Sequence, residues 1–401
     1  MIDRDLASEL ARAAARAPIV MLDGPRQSGK ATLCRAIFPN HPYRTLEAPD
    51  DRALAARDSH AFLARFRKGA VVAEVQRAPG LLPHLKETID ADPTPGRWIL
   101  TSSRDVARLQ SMGRALAGQT AVLRLLPLTR NEVLRFHHRP VRLDAAMFGG
   151  GYPAIFDGDL DPSHWLSFHV ADHIEREVRA ISNVGDLATF QRFMEVCAAA
   201  SSRLLNYSSL AAGCGISQPT AKAWMNILET SFLTFRLPAF QADLGKRLVK
   251  APKLYFHDTG LLCWLLGIRD PDRLRSHPMR GSVFETWVVS EIVKHRSNRG
   301  EPRGLWFYRD RNGAEADLVI EGPQGLTLID VNIGATPAPS LFRHVERVRR
   351  HFRGLPTPDV AVVYGGDGFR SRGLGRWFVP WWRVREAAGA GGFDAGPPGW
   401  G

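Results

Sequence analysis

The stretch Ile19-Val-Met-Leu-Asp-Gly-Pro-Arg-Gln-Ser-Gly-Lys-Ala-Thr-Leu33 decides how the first part of this chain is read. Four consecutive apolar residues, Ile19 to Leu22, suit a strand buried on both faces of a parallel sheet. Asp23-Gly24-Pro25 ends that run, and a helical pattern resumes after Gly29. Between strand and helix, residues 24–30 fit G-x-x-x-x-G-K. In this pattern the glycines let backbone N–H groups turn inward around phosphates. The lysine reaches the β- and γ-phosphates, and the helix N-terminus adds a favourable dipole. The reading predicts a phosphate loop made of Gly24, Pro25, Arg26, Gln27, Ser28, Gly29, Lys30, Ala31 and Thr32.

Two side chains that normally go with such a loop are missing. The residue after the lysine should be Ser or Thr, whose hydroxyl coordinates Mg²⁺. Here it is Ala31. Thr32 is displaced by ~100° around the helix, a poor substitute. The second element should be an apolar strand ending in an Asp that holds Mg²⁺, followed by a Glu that polarises water. The chain has Val71-Val72-Ala73-Glu74. Glu74 is therefore the one candidate catalytic residue here, and both direct magnesium positions carry methyl groups.

Outward from the loop, short apolar runs recur at 70–73, 98–101 and 121–125, with helical patterns between them. That alternation predicts an α/β domain with a parallel sheet over residues 1–150, closed by Gly149-Gly150-Gly151. Periodicity is helical from about 160 to 240. Strands and helices mix again beyond Gly245, and a Gly/Pro-rich tail ends the chain. The expected units are 1–150, a helical linker and helix-turn-helix module at 151–245, an α/β domain at 246–388, and a tail at 389–401.

With 401 residues, 23% charged and 44% apolar, the chain can bury several cores, which excludes a disordered or collagenous protein. The net charge of +12 invites a polyanionic partner such as DNA. However, only 8 of the 53 basic residues are Lys, and GC-biased codon usage would give the same arginine excess. The cysteines Cys34, Cys197, Cys214 and Cys263 are scattered, with no C-x-x-C pair, so no zinc site or disulfide framework is expected. The N-terminus has no apolar signal region. The longest apolar stretch, Leu261 to Ile268, is far below the ~20 residues needed to span a bilayer. The expectation is a cytoplasmic protein with no membrane partner.

Several further segments, taken together, carry a resemblance. They are Glu74-Val-Gln-Arg-Ala-Pro79, Ile99-Leu-Thr-Ser-Ser103, Leu116-Ala-Gly118, Leu125-Leu-Pro-Leu128, Gly245-Lys-Arg-Leu-Val-Lys250, Asp258-Thr-Gly-Leu-Leu262 and Gly313-Ala-Glu-Ala-Asp317. With the phosphate loop, they make the chain resemble the prokaryotic AAA-type P-loop ATPases that carry a C-terminal domain of unknown function with a restriction-nuclease-like core. The resemblance implies ATP as cofactor, a polar sensor near Ser102-Ser103, and a metal-binding nuclease core at the C-terminus. Against the family pattern, Ala31 replaces Thr, Ala73 replaces Asp, and Gln119 replaces an arginine that would stabilise transition-state charge.

Leu210-Ala211-x-x-x-Gly215-Ile216-Ser217-x-x-Thr220-Ala221-x-x-Trp224 has helix-turn-helix spacing. Its second helix presents Gln218, Lys222 and Asn226, which suit either a DNA groove or, as in many P-loop ATPases, packing and oligomer contacts. In the C-terminal part, Glu315-x-Asp317 and Asp330-Val331-Asn332 lie beside apolar strands. Restriction-type nucleases hold a metal with two such carboxylates and place a lysine on the attacking water. Asp317, Asp330 and an upstream Glu285 are the candidate ligands of a residual metal site. Asn332 occupies the lysine position, where the family has E-V-K.

Four altered catalytic positions (Ala31, Ala73, Gln119, Asn332) on preserved scaffold motifs point to an ATP-binding pseudoenzyme. The competing expectation is a DNA-binding winged-helix regulator with a vestigial nucleotide site. His137-His138 reads as a solvated helix end, and the Lys246-Arg247-x-x-Lys250 run suits either phosphate contact or a solvated face. Trp377, Trp381 and Trp382 read as core.

Overall fold

A computed structural model describes residues 2–105, 118–171, 187–241, 250–301, 304–322, 325–352, 357–371 and 375–388. The first domain is a five-stranded sheet ordered β2-β3-β4-β1-β5, where β1 is Ile19–Asp23, β2 Tyr43–Thr45, β3 Ala70–Ala73, β4 Trp98–Ser102 and β5 Thr120–Arg124. Every pairing is parallel. β1 shows why an unbroken apolar run was needed. Ile19 and Met21 enter one core with Phe62, Leu81 and Leu85, while Val20 and Leu22 enter the opposite core with Leu10, Leu33 and Ile99. Since alternate side chains of a strand face opposite ways, a strand covered by helices on both sides is apolar along its middle, and a polar residue such as Asp23 comes only at its end. The three residues of β2 were not foreseen; Tyr-Arg-Thr at a sheet edge is too short and too polar to stand out.

The helical region contains Pro153–Asp157, Pro162–His169, Leu187–Ala199, Tyr207–Cys214 and Gln218–Thr230. Gly215, with φ of +68°, ends the fourth helix in the left-handed conformation that glycine adopts most easily. Ser217 caps the fifth, accepting a hydrogen bond from the Thr220 N–H at 3.2 Å. β6 (Thr234–Leu237) then pairs antiparallel with β7 (Lys253–Phe256). β7, within the segment expected to open the C-terminal domain, is thus in ladder with the helical region.

The last sheet has the order β12-β13-β11-β10-β9-β8, with β8 Leu305–Arg309, β9 Glu315–Gly322, β10 Gly325–Asn332, β11 Asp359–Tyr364, β12 Arg370–Ser371 and β13 Arg376–Pro380. β8, β9 and β10 form an antiparallel meander, and β10, β11 and β13 run parallel. The helix Arg280–Asn298 is largely buried and lies against this sheet. Trp377 and Trp381 are buried in the core, but Trp382, expected there too, is 37% exposed, with its indole N–H donating to the Asp367 carbonyl at 3.2 Å. Among the described residues no helix is long and apolar enough to cross a membrane. The tail beyond 388, the Gly245–Val249 run, and Leu116 and Ala117 lie outside the described residues.

Candidate functional site

The phosphate loop leaves the C-terminal end of β1, which lies between β4 and β5, and enters the helix Lys30–Ile37. Ligands of open α/β sheets bind in this kind of crevice, beyond the carboxyl ends of the strands. The loop holds two left-handed turns, Gln27 at φ +60° and Gly29 at φ +95°. Gly24 has no room for a side chain, because a Cβ there would lie 2.1 Å from the Leu125 carbonyl oxygen. Lys30 is 6% exposed and its Nζ donates to the Gly24 and Pro25 carbonyls, both at 2.8 Å. Burial lowers its pKa, partly offset by the nearby Glu74 carboxylate. The Ser28 hydroxyl is buried without a hydrogen-bond partner.

Three neighbours fix the loop. Arg4, buried, donates to the Ser28 carbonyl at 2.6 Å, the Leu126 carbonyl at 3.0 Å and Glu132 Oε1 at 2.8 Å. His169 Nδ1 lies 3.0 Å from Gln27 Oε1, and its ring stacks on Trp165 at 4.8 Å. Arg26 pairs with Glu47. Sequence reasoning missed Arg4 and His169. A buried arginine at the start of a chain and a histidine ending a helix carry no motif.

Glu74 follows β3 in a left-handed conformation, φ +60°, a strained setting for a non-glycine residue. Its Oε2 accepts from Ser103 Oγ at 2.7 Å and from Gln76 Nε2 at 2.6 Å. Burial alone would raise its pKa, but the Lys30 ammonium and these hydrogen bonds prevail and hold it below the usual carboxylate range. Glu74 is therefore an ionised carboxylate facing the loop lysine. Asp23, on β1, is engaged by Arg124 at 3.1 and 3.3 Å. Burial raises its carboxyl to about 6, against the opposing pull of Arg124. Gln119 donates to Asp90 at 2.8 Å on the surface.

Beside Gly29 and Thr32 opens a mainly apolar cavity of about 180 Å³, walled by Ile2, Ala7, Ile37, Phe136 and Pro153. Thr32 thus lines this cavity, consistent with its displacement around the helix from the position after Lys30. Asp3 and Asp157 add polar groups to the wall.

The second constellation is in the C-terminal part. Asp317 on β9 stands one step beyond the last paired position, Leu318 opposite Ile329, and so faces Asp330 on β10. Glu285 approaches from the helix Arg280–Asn298. At the centre is Lys253 on β7, with its Nζ 3.0 Å from Glu285, 2.8 Å from Glu315 and 3.1 Å from Asp317. The Tyr255 hydroxyl donates to Glu285 at 2.7 Å. Burial opposes charge on Lys253, yet Tyr255, Asp317, Glu285 and Glu315 outweigh it and raise its pKa. Burial, then the Asp317 charge, raises Asp330 to about 9, and the same two causes raise Glu285 to about 7. Burial and neighbouring charge thus favour the ammonium form of Lys253 and the protonated forms of Asp330 and Glu285. Ligand oxygens of Glu285, Asp317 and Asp330 do not all come within 4.8 Å of one another. What joins the acids is the lysine. Asn332 Oδ1 accepts from the Gly334 N–H at 2.9 Å, closing a local turn. The reading missed Lys253, although a lysine inside an apolar strand is a signal in itself, because a buried ammonium needs acids around it.

Family models match three consecutive stretches: an AAA domain over residues 16–134, a domain of unknown function (DUF8612) over 141–272, and another (DUF4143) over 280–384. An uncharacterised protein of Mycobacterium tuberculosis is 30% identical over 371 residues, covering 91% of this chain and 80% of its own length. A counterpart in Mycobacterium bovis matches equally. The chain belongs to this family of AAA-type P-loop ATPases with a C-terminal DUF4143 domain. Among solved structures, the Walker-type ATPase of Pyrococcus abyssi aligns with a TM-score of 0.43 and 16% identity, covering 66% of this chain and 96% of that one. AMPPCP-bound DnaA from Aquifex aeolicus aligns at 0.28 with 12% identity, covering 56% and 86%. Nucleotide binding follows from membership of the AAA family.

Proposed function

We propose that this AAA protein is a cytoplasmic ATP-binding protein with weak or absent hydrolysis. The observation that carries the reading is a loop able to take phosphates next to positions unable to take their metal. The buried, unpartnered Ser28 hydroxyl and the Lys30 ammonium suit the phosphate chain of ATP. The adjoining cavity between Ile37, Phe136 and Pro153 suits a flat apolar base, with Asp3 and Asp157 able to accept from its amino group. Mg²⁺ fits poorly, since Ala31 and Ala73 offer no oxygen where its ligands should stand. Glu74 retains the charge needed to polarise water, held in place by Ser103 and Gln76.

The 1–150, 151–245 and 246–388 units then divide the labour: nucleotide binding, a winged-helix module, and an inactive nuclease-like domain. Supporting the winged helix is the Gly215 turn between two helices followed by the β6–β7 ladder. Supporting the nuclease-like core are the facing carboxylates of Asp317 and Asp330 on adjacent strands. A resident metal does not fit it, because Lys253 already occupies the centre of the acids and Asp330 keeps its proton at neutral pH. The alternative, a DNA-binding regulator, draws on the +12 charge. Two of its three expected DNA-facing side chains are occupied within the module: Gln218 donates to Ser208 at 3.3 Å and Lys222 lies 5.7 Å from the Tyr207 ring centroid. That favours a packing or oligomer-contact role.

Titration calorimetry with ATP, with and without Mg²⁺, tests the main reading. Saturable binding with little magnesium dependence is expected; no binding would overturn it. Duplex DNA binding whose log K falls by about 0.9 per log[salt] for each neutralised phosphate, with no nucleotide affinity, would favour the regulator.

A further inference from the structure

We propose that His60, His84 and Glu87 form a binding site for a divalent transition-metal ion of the zinc class on the surface of the AAA domain. His60 lies in the helix Ser59–Ala64; His84 and Glu87 lie three apart in the helix Leu81–Ala91 and so share one face. Both helices are anchored in the same core by Phe62 and Leu63 on one and Leu81, Leu82 and Leu85 on the other. The three side chains therefore project from fixed backbones, which is how a ligand set is preorganised.

Glu87 Oε2 lies 3.6 Å from His60 Nε2 and 3.5 Å from His84 Nδ1, and the two imidazole centroids are 4.4 Å apart. All three ligand atoms fall within 4.8 Å of one another, the one such His/Cys/Asp/Glu group among the described residues. A charge-assisted hydrogen bond from a protonated imidazole would bring nitrogen and oxygen to about 2.7–2.9 Å. The two nitrogen–oxygen spacings are instead those of a tetrahedron's edges, since zinc–ligand bonds of about 2.0–2.2 Å put neighbouring ligand atoms about 3.3–3.6 Å apart.

A second observation points the same way. His84 Nδ1 is shielded from solvent and has no hydrogen-bond partner, a costly condition that an ion in front of it would relieve. Two imidazoles and one carboxylate select Zn²⁺, Co²⁺, Ni²⁺ or Cu²⁺ over the hard ions Mg²⁺ and Ca²⁺. Side-chain exposures of 68% for His60 and 63% for Glu87 leave the fourth position open to water. The bound ion would clip the two helices together, adding stability by mass action.

Co²⁺ titration of the untagged full chain tests this. One equivalent should bind with the intense visible absorption of tetrahedral cobalt, and Zn²⁺ should displace it. His60→Ala and His84→Ala should each weaken binding by at least the ~10–100-fold that loss of an outer-sphere partner costs. Replacing His137 and His138 with alanine should leave it unchanged. Absence of saturable binding overturns the proposal. So does binding that survives both His60→Ala and His84→Ala, or binding lost only in Asp317→Ala, which would put the ion among the C-terminal acids.

Discussion

Asp330→Asn should make the protein more stable, by an amount that grows with pH. Burial and the facing Asp317 carboxylate raise Asp330 to about 9 in the folded chain, whereas an unfolded aspartate titrates near ~3.9. Because the folded pKa is the higher one, the contribution of this group is most favourable below pH ~4. It is lost progressively as pH rises toward 9, since folding must take up a proton that solvent holds ever less tightly. At about 1.36 kcal/mol per pH unit, the loss between pH 5 and pH 8 reaches at most about 4 kcal/mol. The asparagine amide keeps a donor toward Asp317 without needing that proton. Glu285, raised to about 7, titrates in the same window but does so in both proteins. Urea unfolding at pH 5 and pH 8 in chelator-containing buffer measures the effect. The variant should gain on the wild type between the two pH values by ~1–4 kcal/mol. A stability difference that is the same at both would mean that Asp330 is already ionised in the folded protein, and the proton-loaded cluster would be wrong.

Lys30→Ala should abolish ATP binding, because it removes the ammonium that bridges the Gly24 and Pro25 carbonyls and would turn to the phosphates; calorimetry showing equal affinity would refute the site. ATP turnover should fall well below the ~1 s⁻¹ low end of typical enzymes, and Ala31→Thr with Ala73→Asp should raise it more than either alone, because both groups serve one ion. Lys253→Met should destabilise the fold by about 3–5 kcal/mol at pH 8, since it leaves buried carboxylates without their ammonium; a loss under 1 kcal/mol in urea unfolding would show that the acids are solvated.

The elements legible in the sequence were those that local chemistry specifies. The run Ile19–Leu22 before a glycine loop announced both the buried central strand and its phosphate turn, because each requirement falls on neighbouring residues. The apolar runs of β3, β4, β9, β10 and β11 were legible for the same reason. Groups that act through long-range packing were not. Arg4 meets Glu132 across 128 positions, His169 meets Gln27 across 142, and Lys253 meets Asp317 across 64. None of these pairs leaves a periodic trace. The acids Glu285, Asp317 and Asp330 were picked out, but their electrostatics depended on a lysine two strands upstream that reads as part of an ordinary β-strand. His138 shows the same limit, lying 3.7 Å from Asp159, an acid that its sequence neighbours do not suggest.

The contacts holding the two halves together are buried and charged. The Asp258 carboxylate accepts from the Gly151 and Leu261 N–H groups at 2.7 and 2.8 Å, and a Cβ on Gly150 would lie 2.5 Å from it. Lys294 donates to the Leu128 carbonyl and to Glu291, both at 3.1 Å, while Glu291 accepts from the Arg130 N–H at 2.8 Å. These charges are buried and are engaged by one another and by backbone from both domains. Separating the domains would strand several ions away from compensation, each costing several kcal/mol. Ala31, Ala73 and Asn332 break no such network, because a methyl group or an amide in their positions leaves no buried charge unpaired. The same helix, Arg280–Asn298, carries Glu291 and Lys294 at this junction and Glu285 in the acid cluster, about 9 and about 14 Å away respectively along its axis at 1.5 Å per residue. The joint between the loop-bearing sheet and the acid cluster is thus fixed by electrostatics that fold stability itself demands, whereas Ala31, Ala73 and Asn332 stand outside that network.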